Sequence, residues 1–138
     1  MQRFTDEREA HTPDEVWFVE HDPVFTFGLN ADAIHLHDAG DIEVVNIDRG
    51  GQVTYHGPGQ IVGYPILDLD NVFTDIHKYL RLLEEMVILT LQEYGLNAER
   101  SKGETGVWLD VGTPFARKIC AMGVRASRWV SMHGFALN

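Results

Sequence analysis

The sequence is poor in cysteine, in long apolar runs and in positive charge. One cysteine, Cys120, stands among 138 residues, which excludes a disulfide framework and favours a reducing compartment. No apolar run approaches the ~20 residues that a membrane-spanning helix requires, and the first ten residues are too polar for a secretory signal. These absences predict a soluble, cytoplasmic domain that has no membrane as its partner.

Positive charge is scarce and unevenly distributed. The chain has 11 lysines and arginines against 21 acidic residues, a net charge of −10, which argues against nucleic acid as a partner. Residues 111–138 nevertheless contain four cations and no carboxylate. These cations are Arg117, Lys118, Arg125 and Arg128. The segment therefore either faces an anionic partner or pairs with carboxylates elsewhere on the fold.

The apolar content is sufficient for a packed core. Hydrophobic residues make up 44% of the chain and aromatic residues 10%, which excludes disorder by composition, and the length suits a single domain. Short apolar or alternating runs bounded by turn residues predict strands. They cover residues 15–20, 24–27, 42–47, 52–55, 61–67, 106–110, 116–122 and 129–137.

One long helix is predicted over residues 74–94. Its apolar residues recur at three- and four-residue intervals and form one face. They are Ile76, Leu80, Leu83, Val87 and Leu91. Thr74 or Asp75 can cap its start, and Gly95 can end it in the left-handed conformation. Strands predominate around this helix, so the predicted fold class is α+β with a mixed, mostly antiparallel sheet.

The most informative segment covers residues 49–60, with the sequence RGGQVTYHGPGQ. Its glycines and proline predict two sharp turns, and a backbone of small residues lets a ligand approach closely. The polar residues between them are Arg49, Gln52, Thr54, Tyr55, His56 and Gln60. The residues alone leave open a ligand-binding loop and a β-hairpin with polar decoration. The segment matches neither a P-loop nor a dinucleotide fingerprint.

The longer run RGGQVTYHGPGQIVGYPILDL, at residues 49–69, closely resembles the signature of the lipoyl(octanoyl) transferases. The similarity continues in VWFVEHDPVFTF, GVW, RKICAMGVR and SMHGFALN, and so covers nearly the whole chain. On these motifs the chain is identified as a member of that family, whose enzymes move octanoyl from acyl-carrier protein onto lipoyl domains. The resemblance implies the lipoate/biotin protein ligase fold. Lipoate and biotin ligases share that fold, but their glycine segment reads differently.

The resemblance also implies the site residues. The acyl-substrate loop comprises Arg49, Gly50, Gly51, Gln52, Val53, Thr54, Tyr55 and His56, and two further stretches that line the acyl pocket are Ala121, Met122 and Gly123, and Gly134, Phe135 and Ala136. Lys118 matches the catalytic lysine. The family's cysteine nucleophile lies beyond the equivalent of Asn138, and its first strand and most of its first helix precede the equivalent of Met1. Residues 1–138 are therefore expected to form a single, incomplete octanoyltransferase domain.

The implied reaction is acyl transfer through an enzyme thioester. Octanoyl passes from acyl-carrier protein to a cysteine, and then to a lysine on a lipoyl domain of a 2-oxoacid dehydrogenase or on the glycine-cleavage carrier protein. The attacking group must be a thiolate, which a neighbouring lysine cation favours, and the same lysine can transfer protons. No cofactor is implied, neither metal nor nucleotide, because the thioester is already activated.

Lys118 and Cys120 lie two residues apart in a predicted strand. Alternation along a strand predicts that their side chains share a face, and the apolar neighbours would allow partial burial of a catalytic lysine. The residues alone favour an exposed, solvated lysine, whereas the family resemblance favours a catalytic one. Cys120 is either a substitute nucleophile or an apolar filler, and the usual burial of free cysteines favours the filler. His56 and His133 each orient a thioester carbonyl or bond a turn.

Two alternative functions remain. One is an ATP-dependent lipoate-protein ligase of the same fold, against which the glycine motif argues. The other is a non-catalytic fragment that binds an acyl group or a carrier protein. An acidic carrier protein is the expected partner of the cations between Arg117 and Arg128.

Overall fold

The computed structural model describes residues 1–138 as two β-sheets and one long helix. The helices are α1 (Gln2–Asp6) and α2 (Ile76–Glu93), with short 3-10 helices at Ala33–His35 and Leu69–Asn71. The strands are β1 (Glu15–Val19), β2 (Val24–Phe27), β3 (Glu43–Asn46), β4 (Val53–His56), β5 (Ile61–Ile66), β6 (Ala98–Glu99), β7 (Val107–Leu109), β8 (Arg117–Ser127) and β9 (Val130–Leu137). No helix is both long and apolar enough to span a bilayer.

The larger sheet has the strand order β1-β5-β9-β8-β7-β6, and all its neighbours are antiparallel. Its centre is the long hairpin of β8 and β9, which turns through Arg128 and Trp129. Both turn residues have positive φ, as a two-residue hairpin of the right twist requires. The smaller sheet has the order β3-β2-β4, with β2 parallel to β3 and antiparallel to β4. The predicted α+β class with a mostly antiparallel arrangement is confirmed.

Helix α2 packs its apolar face on the larger sheet. The Asp75 side chain accepts hydrogen bonds from the backbone N–H groups of His77 and Lys78, and Gly95 follows the helix with φ +73°. Both predicted ends are therefore confirmed. The main core cluster comprises Val87, Ile88, Leu91, Ala98, Val107, Leu109, Cys120 and Phe135. Each large apolar side chain buried there contributes about 1.5–3 kcal/mol.

The structure departs from the sequence predictions in three elements. Helix α1 was not predicted, because five residues give too short a pattern for its period to be read. Strand β6 was missed for the same reason, since it has two residues. Strand β8 continues five residues beyond the predicted Met122, because its pairing with β9 extends to Ser127.

The two faces of the central hairpin are different. Cys120 and Phe135 belong to the core cluster under α2. Their neighbours Ala121 and Ala136 are paired across the strands and, by the alternation of side chains, point to the opposite face. The smaller sheet and the glycine loop after β3 lie over that opposite face, and this arrangement creates the site.

Candidate active site

An inner pocket lies between the glycine loop and the hairpin face opposite α2. Its lining residues are Ile47, Arg49, Thr54, His56, Val62, Tyr64, Ala121, Met122, Gly123, His133, Gly134, Phe135 and Ala136. The pocket has a volume of about 30 Å³, which is room for about two water molecules. An acyl chain can enter it only when lining side chains move.

An outer recess adjoins this pocket. Its lining residues are Arg49, Gly51, Gln52, Val53, Thr54, Tyr55, Gln60, Gly103, Glu104, Thr105, Lys118, Ala121, Met122 and Asn138. Arg49, Thr54, Ala121 and Met122 line both cavities, so the two share a boundary. The recess has a volume of about 470 Å³, which lies in the usual range for small-molecule sites.

The glycine loop rests directly on the backbone of β8. The Gly50 N–H donates to the Val124 carbonyl at 3.3 Å. A Cβ added at Gly123 would lie 2.5 Å from the Gly50 carbonyl oxygen, a distance that real Cβ contacts do not reach. Gly51 has φ +92°, in the region that glycine adopts without steric cost. Glycine is thus required on both sides of this contact.

Arg49 is a buried cation without a carboxylate partner. Its Nη2 donates to the carbonyl and hydroxyl oxygens of Thr26 at 2.9 and 2.8 Å, and its Nη1 donates to the Gly50 carbonyl at 2.9 Å. Burial lowers the pKa of Arg49, which the charge of Tyr64 opposes. Arginine stays charged in proteins. The boundary of the two cavities therefore contains a cation whose charge is not neutralised.

His56 is fixed as a neutral imidazole in the wall of the inner pocket. Its Nδ1 lies 2.7 Å from Gln60 Oε1, and its Nε2 lies 3.3 Å from Thr26 Oγ1. Burial lowers the pKa of His56, although the Gln60 hydrogen bond opposes this. The Gln60 amide also donates to Asn138 Oδ1 at 2.9 Å, and so connects this histidine to the end of β9.

His133 forms a second polar contact in the wall of the inner pocket. It lies within β9 with φ +59°, a conformation that costs a non-glycine residue of order 1–3 kcal/mol. Its Nε2 lies 2.7 Å from Asp48 Oδ1, and Arg125 pairs with the other oxygen of Asp48. Burial lowers the pKa of His133 despite that carboxylate. Burial raises the pKa of Asp48, but the hydrogen bond and electrostatic interaction with His133 and the charge of Arg125 outweigh it, so that pKa is lowered.

Lys118 lines the outer recess, and its side chain is exposed. Lys118 is therefore exposed, as the residues alone favoured, and the partial burial considered for a catalytic lysine is absent. Its Nζ lies 4.8 Å from the ring centroid of Trp108. A β-bulge places Val107 opposite Cys120 but Trp108 opposite Lys118. Because a bulge breaks the alternation of side chains, the predicted common face of Lys118 and Cys120 is wrong.

Cys120 is fully buried in the core cluster between α2 and the sheet. Burial raises the pKa of its thiol to about 12. A thiol of this kind is almost entirely protonated near neutral pH, and the thiolate is the nucleophilic form. The interpretation of Cys120 as an apolar filler agrees with this position.

The two cavities bring together nearly all the site residues expected from the resemblance. Gly50 alone lines neither, but its backbone carries the loop. Lining residues that sequence reasoning did not assign are Ile47, Gln60, Val62, Tyr64, Gly103, Glu104, Thr105 and Asn138. Val62 and Tyr64 lie within the signature, on β5, and the alternation of side chains along that strand would have indicated them as a pair. The segment from Gly103 to Thr105 has no such signal.

The cations near the C-terminus pair largely within the chain. Arg117 pairs with Asp110, and Arg125 pairs with Asp48. Arg128 donates to the carbonyl oxygens of Thr5 and Asp6. The interpretation that these residues pair on their own fold therefore holds for two of the four cations. Lys118 alone has no partner oxygen within the chain.

A glycine loop over a sheet, a buried arginine between two cavities and a lysine at the outer one characterise this α+β domain. The profile of the lipoyl protein ligase A/B catalytic domain matches residues 1–138. The chain belongs to this family.

Curated relatives and a solved structure agree with the family assignment. An octanoyltransferase of Christiangramia forsetii is 70% identical over 94% of this chain, and one of Flavobacterium psychrophilum is 62% identical over all of it. The chain spans 58% and 62% of their lengths. A solved structure with the same arrangement is the bi-partite lipoate protein ligase of Thermoplasma acidophilum, described together with its E2 lipoyl domain. It has a TM-score of 0.76 at 19% sequence identity. The match covers 99% of this chain and 53% of the ligase chain. That likeness confirms the predicted lipoate ligase fold.

Proposed function

We propose that the full-length protein containing these residues is an octanoyltransferase. It moves octanoyl from octanoyl-acyl-carrier protein to a lysine of a lipoyl domain through an enzyme thioester. The observation that carries the proposal is the meeting of the glycine loop, buried Arg49 and Lys118 at two adjoining cavities. The identity of 70% to an octanoyltransferase supports the same activity.

In this proposal the inner pocket receives the acyl chain and the recess receives the thioester. Arg49 lies at their boundary, and we assign the carbonyl of the bound acyl group to that position. Its unpaired charge stabilises the oxyanion that forms during attack on the carbonyl carbon. Fixed donors of this type stabilise a transition state strongly, because they need no reorganisation.

The chemistry has two steps at one carbonyl carbon. An enzyme thiolate forms a C–S bond to the acyl carbon, the bond to the carrier sulfur breaks, and the departing thiolate takes a proton from Lys118. The lipoyl-domain amine then forms the C–N bond, the enzyme thiolate leaves, and Lys118 receives the proton of the amine. Lysine suits both transfers because it can be an acid and then a base.

The thiol is proposed to come from outside residues 1–138. Cys120 is the one cysteine within them, and its position in the core separates it from both cavities. We place the reaction in the cytoplasm, since a free thiol fits a reducing compartment. Neither metal nor nucleotide is needed for transfer from one thioester to another.

A lipoate-protein ligase is the second candidate, and the fold of the Thermoplasma acidophilum ligase favours it. That likeness is at 19% identity, whereas octanoyltransferases reach 70%. The two candidates differ in their donor. A ligase uses a free acid with ATP, and a transferase uses the carrier-bound thioester without ATP.

Acylation of a purified lipoyl domain by the full-length protein tests the proposal. Octanoyl-carrier protein alone should acylate the domain, while octanoate with ATP should not. Lys118→Ala should abolish transfer, and Lys78→Ala, a change at an exposed lysine on α2, should leave it intact. Acylation that requires ATP and accepts the free acid would instead establish the ligase.

A further inference from the structure

We propose that Trp108 and Glu84 are positioning residues that fix the Lys118 ammonium group at the outer recess. This inference rests on the proposed function, in which Lys118 transfers protons. Lys118 forms no hydrogen bond or ion pair within the chain, so something other than a charged partner has to hold it.

The indole of Trp108 is the first holding contact. Trp108 lies opposite Lys118 in the pairing of β7 with β8, and Lys118 Nζ lies 4.8 Å from the indole centroid. An ammonium group over an aromatic face is attracted by the ring quadrupole, most strongly by tryptophan. The contact restrains a long side chain that is otherwise free in solvent, and leaves its protons available to a substrate.

The β-bulge directs the lysine toward the recess. Ile119 is the extra residue, and both Ile119 and Cys120 pack against the core cluster. Because the side chains of Ile119 and Cys120 lie on the same side of the strand, the alternation of side chains is broken. The side chain of Lys118 therefore points in another direction than regular alternation would give. Lys118 is thereby directed to the recess, on the boundary side where Ala121 and Met122 lie.

Gly106 supports the stem of the lysine. It has φ +108°, and a Cβ there would lie 2.4 Å from the Cys120 carbonyl oxygen and 3.4 Å from Lys118 Cδ. The backbone of Gly106 thus lies directly against both the bulge and the lysine. A shift of this backbone would move the stem and release the contact with Trp108.

Glu84 fixes Gly106 from the other side. This carboxylate on α2 is fully buried, and its Oε1 accepts a hydrogen bond from the Gly106 N–H at 3.0 Å. Its Oε2 accepts from Arg81 and Arg100 at 2.7 and 2.9 Å. The two arginines hold the carboxylate in one orientation, so Gly106 has a fixed anchor in the core.

The same anchor ends the loop that forms one wall of the recess. Gly103, Glu104 and Thr105 line the recess and lead directly into Gly106. Loss of the Glu84 acceptor would leave a buried N–H without a partner, and the wall and the lysine stem would move together. Displacement of a reacting group by about 1 Å can lower a rate ~100-fold.

Paired variants of the full-length protein test the inference. Trp108→Leu removes the ring, and Trp108→Phe keeps an aromatic face. Glu84→Leu removes the acceptor for Gly106, and Glu84→Gln keeps one. Val87→Ala, at another buried position of α2 that belongs to the core cluster, controls for loss of stability. The measurements are kcat and KM for octanoyl-carrier protein, with the urea midpoint of each variant.

Trp108→Leu should lower kcat by about tenfold or more with KM nearly unchanged, because this contact holds the lysine and not the substrate. Glu84→Leu should lower kcat by a similar factor and also raise KM, because it moves a wall of the recess. The phenylalanine and glutamine variants should recover most of the loss, and Val87→Ala should keep the kcat of the unchanged protein. A folded Trp108→Leu protein with unchanged kcat would overturn the inference.

A second measurement applies if a leucine variant fails to fold. The rate at which an amine-reactive reagent modifies Lys118 is compared among Trp108→Met, which removes the ring but keeps a large apolar side chain, Trp108→Phe and the unchanged protein by peptide mass spectrometry. Faster modification of Lys118 in Trp108→Met than in the other two proteins, with Lys78 unchanged, supports the inference, and equal rates in all three overturn it. If Lys118→Ala retains full transfer, the inference fails while the transferase assignment stands. If the unchanged protein shows no transfer, the proposed function fails.

Discussion

At the residue scale, Arg49 shows how the fold places a positive charge without a carboxylate partner in the candidate site. A buried guanidinium with only carbonyl and hydroxyl partners keeps its charge for a ligand. Its burial costs free energy that a nearby carboxylate would normally offset. This unfavourable free energy of burial arises at the boundary of the two cavities. In the proposed function, that boundary is where the carbonyl of the substrate is stabilised.

Replacement of this arginine should therefore affect the chemical step. We expect Arg49→Met to lower kcat by about 100-fold or more, since removal of one oxyanion donor usually has this effect. Arg49→Lys should not restore it, because an ammonium group cannot reproduce the three fixed bonds of the guanidinium. Steady-state octanoyl transfer measures both variants. A folded Arg49→Met protein with normal kcat would contradict the role.

Cys120 should be dispensable for chemistry. Its thiol is buried and has a pKa of about 12, so Cys120→Ala should keep octanoyl transfer while lowering the free energy of unfolding by about 1 kcal/mol. Native protein should also resist alkylation at this residue at pH 8, and react once unfolded. Rapid alkylation of Cys120 in the native state, or loss of transfer in the alanine variant, would show that the filler interpretation is wrong.

At the scale of elements, the glycine loop and β8 approach more closely than any side chain allows. Gly123→Ala would place a Cβ 2.5 Å from the Gly50 carbonyl oxygen, whereas Gly50→Ala meets the Val124 carbonyl oxygen at 3.3 Å. We expect the first change to destabilise the fold by about 1–3 kcal/mol, as overpacking does, and the second to cost less. Urea denaturation of the two variants measures the difference. Equal midpoints would contradict the contact.

Much of the secondary structure could be predicted from the sequence, because the spacing of apolar residues matches the period of the helix or strand that they form. Helix α2 begins after Asp75 and ends before Gly95 as its capping residues predict. Strand β6 and the bulge could not be predicted, since two residues show no period and a bulge depends on packing against the core. The exposed position of Lys118 follows from that bulge.

The candidate site residues were predicted mainly from the resemblance to a known family, and only in small part from the chemistry of the residues themselves. The residues alone left the glycine segment as either a hairpin or a ligand loop. The structure has no hairpin across Gly50 and Gly51, because β3 and β4 both pair with β2 and not with each other. The contact of His133 with Asp48 joins residues 85 positions apart. No local sequence pattern indicates a contact over this separation, so it could not be predicted from the sequence.

At the scale of the whole molecule, buried histidines make stability depend on pH. Burial lowers the pKa of His56 and His133 below the ordinary 6.5, so the unfolded chain binds more protons as the pH falls through that range. The free energy of unfolding should therefore decrease between pH 7.5 and 5. The lowered pKa of Asp48 adds a further loss only below about 3.8. Urea midpoints across this range measure the effect.

His133→Gln provides the comparison for this prediction. The variant should be less stable at pH 7.5, because Asp48 loses its partner, but its midpoint should change less on acidification. A midpoint that is the same at pH 7.5 and pH 5 in the unchanged protein would contradict the neutral, buried state of these histidines.

The central claim is a covalent acyl transfer in which Cys120 is not the nucleophile. Its most direct test is intact mass spectrometry of the full-length protein and of its Cys120→Ala variant after mixing with octanoyl-carrier protein. The account predicts an octanoyl adduct of equal yield on both proteins, which disappears when a lipoyl domain is added without ATP. No adduct on folded protein, or an adduct that is lost in the Cys120→Ala variant, would contradict it.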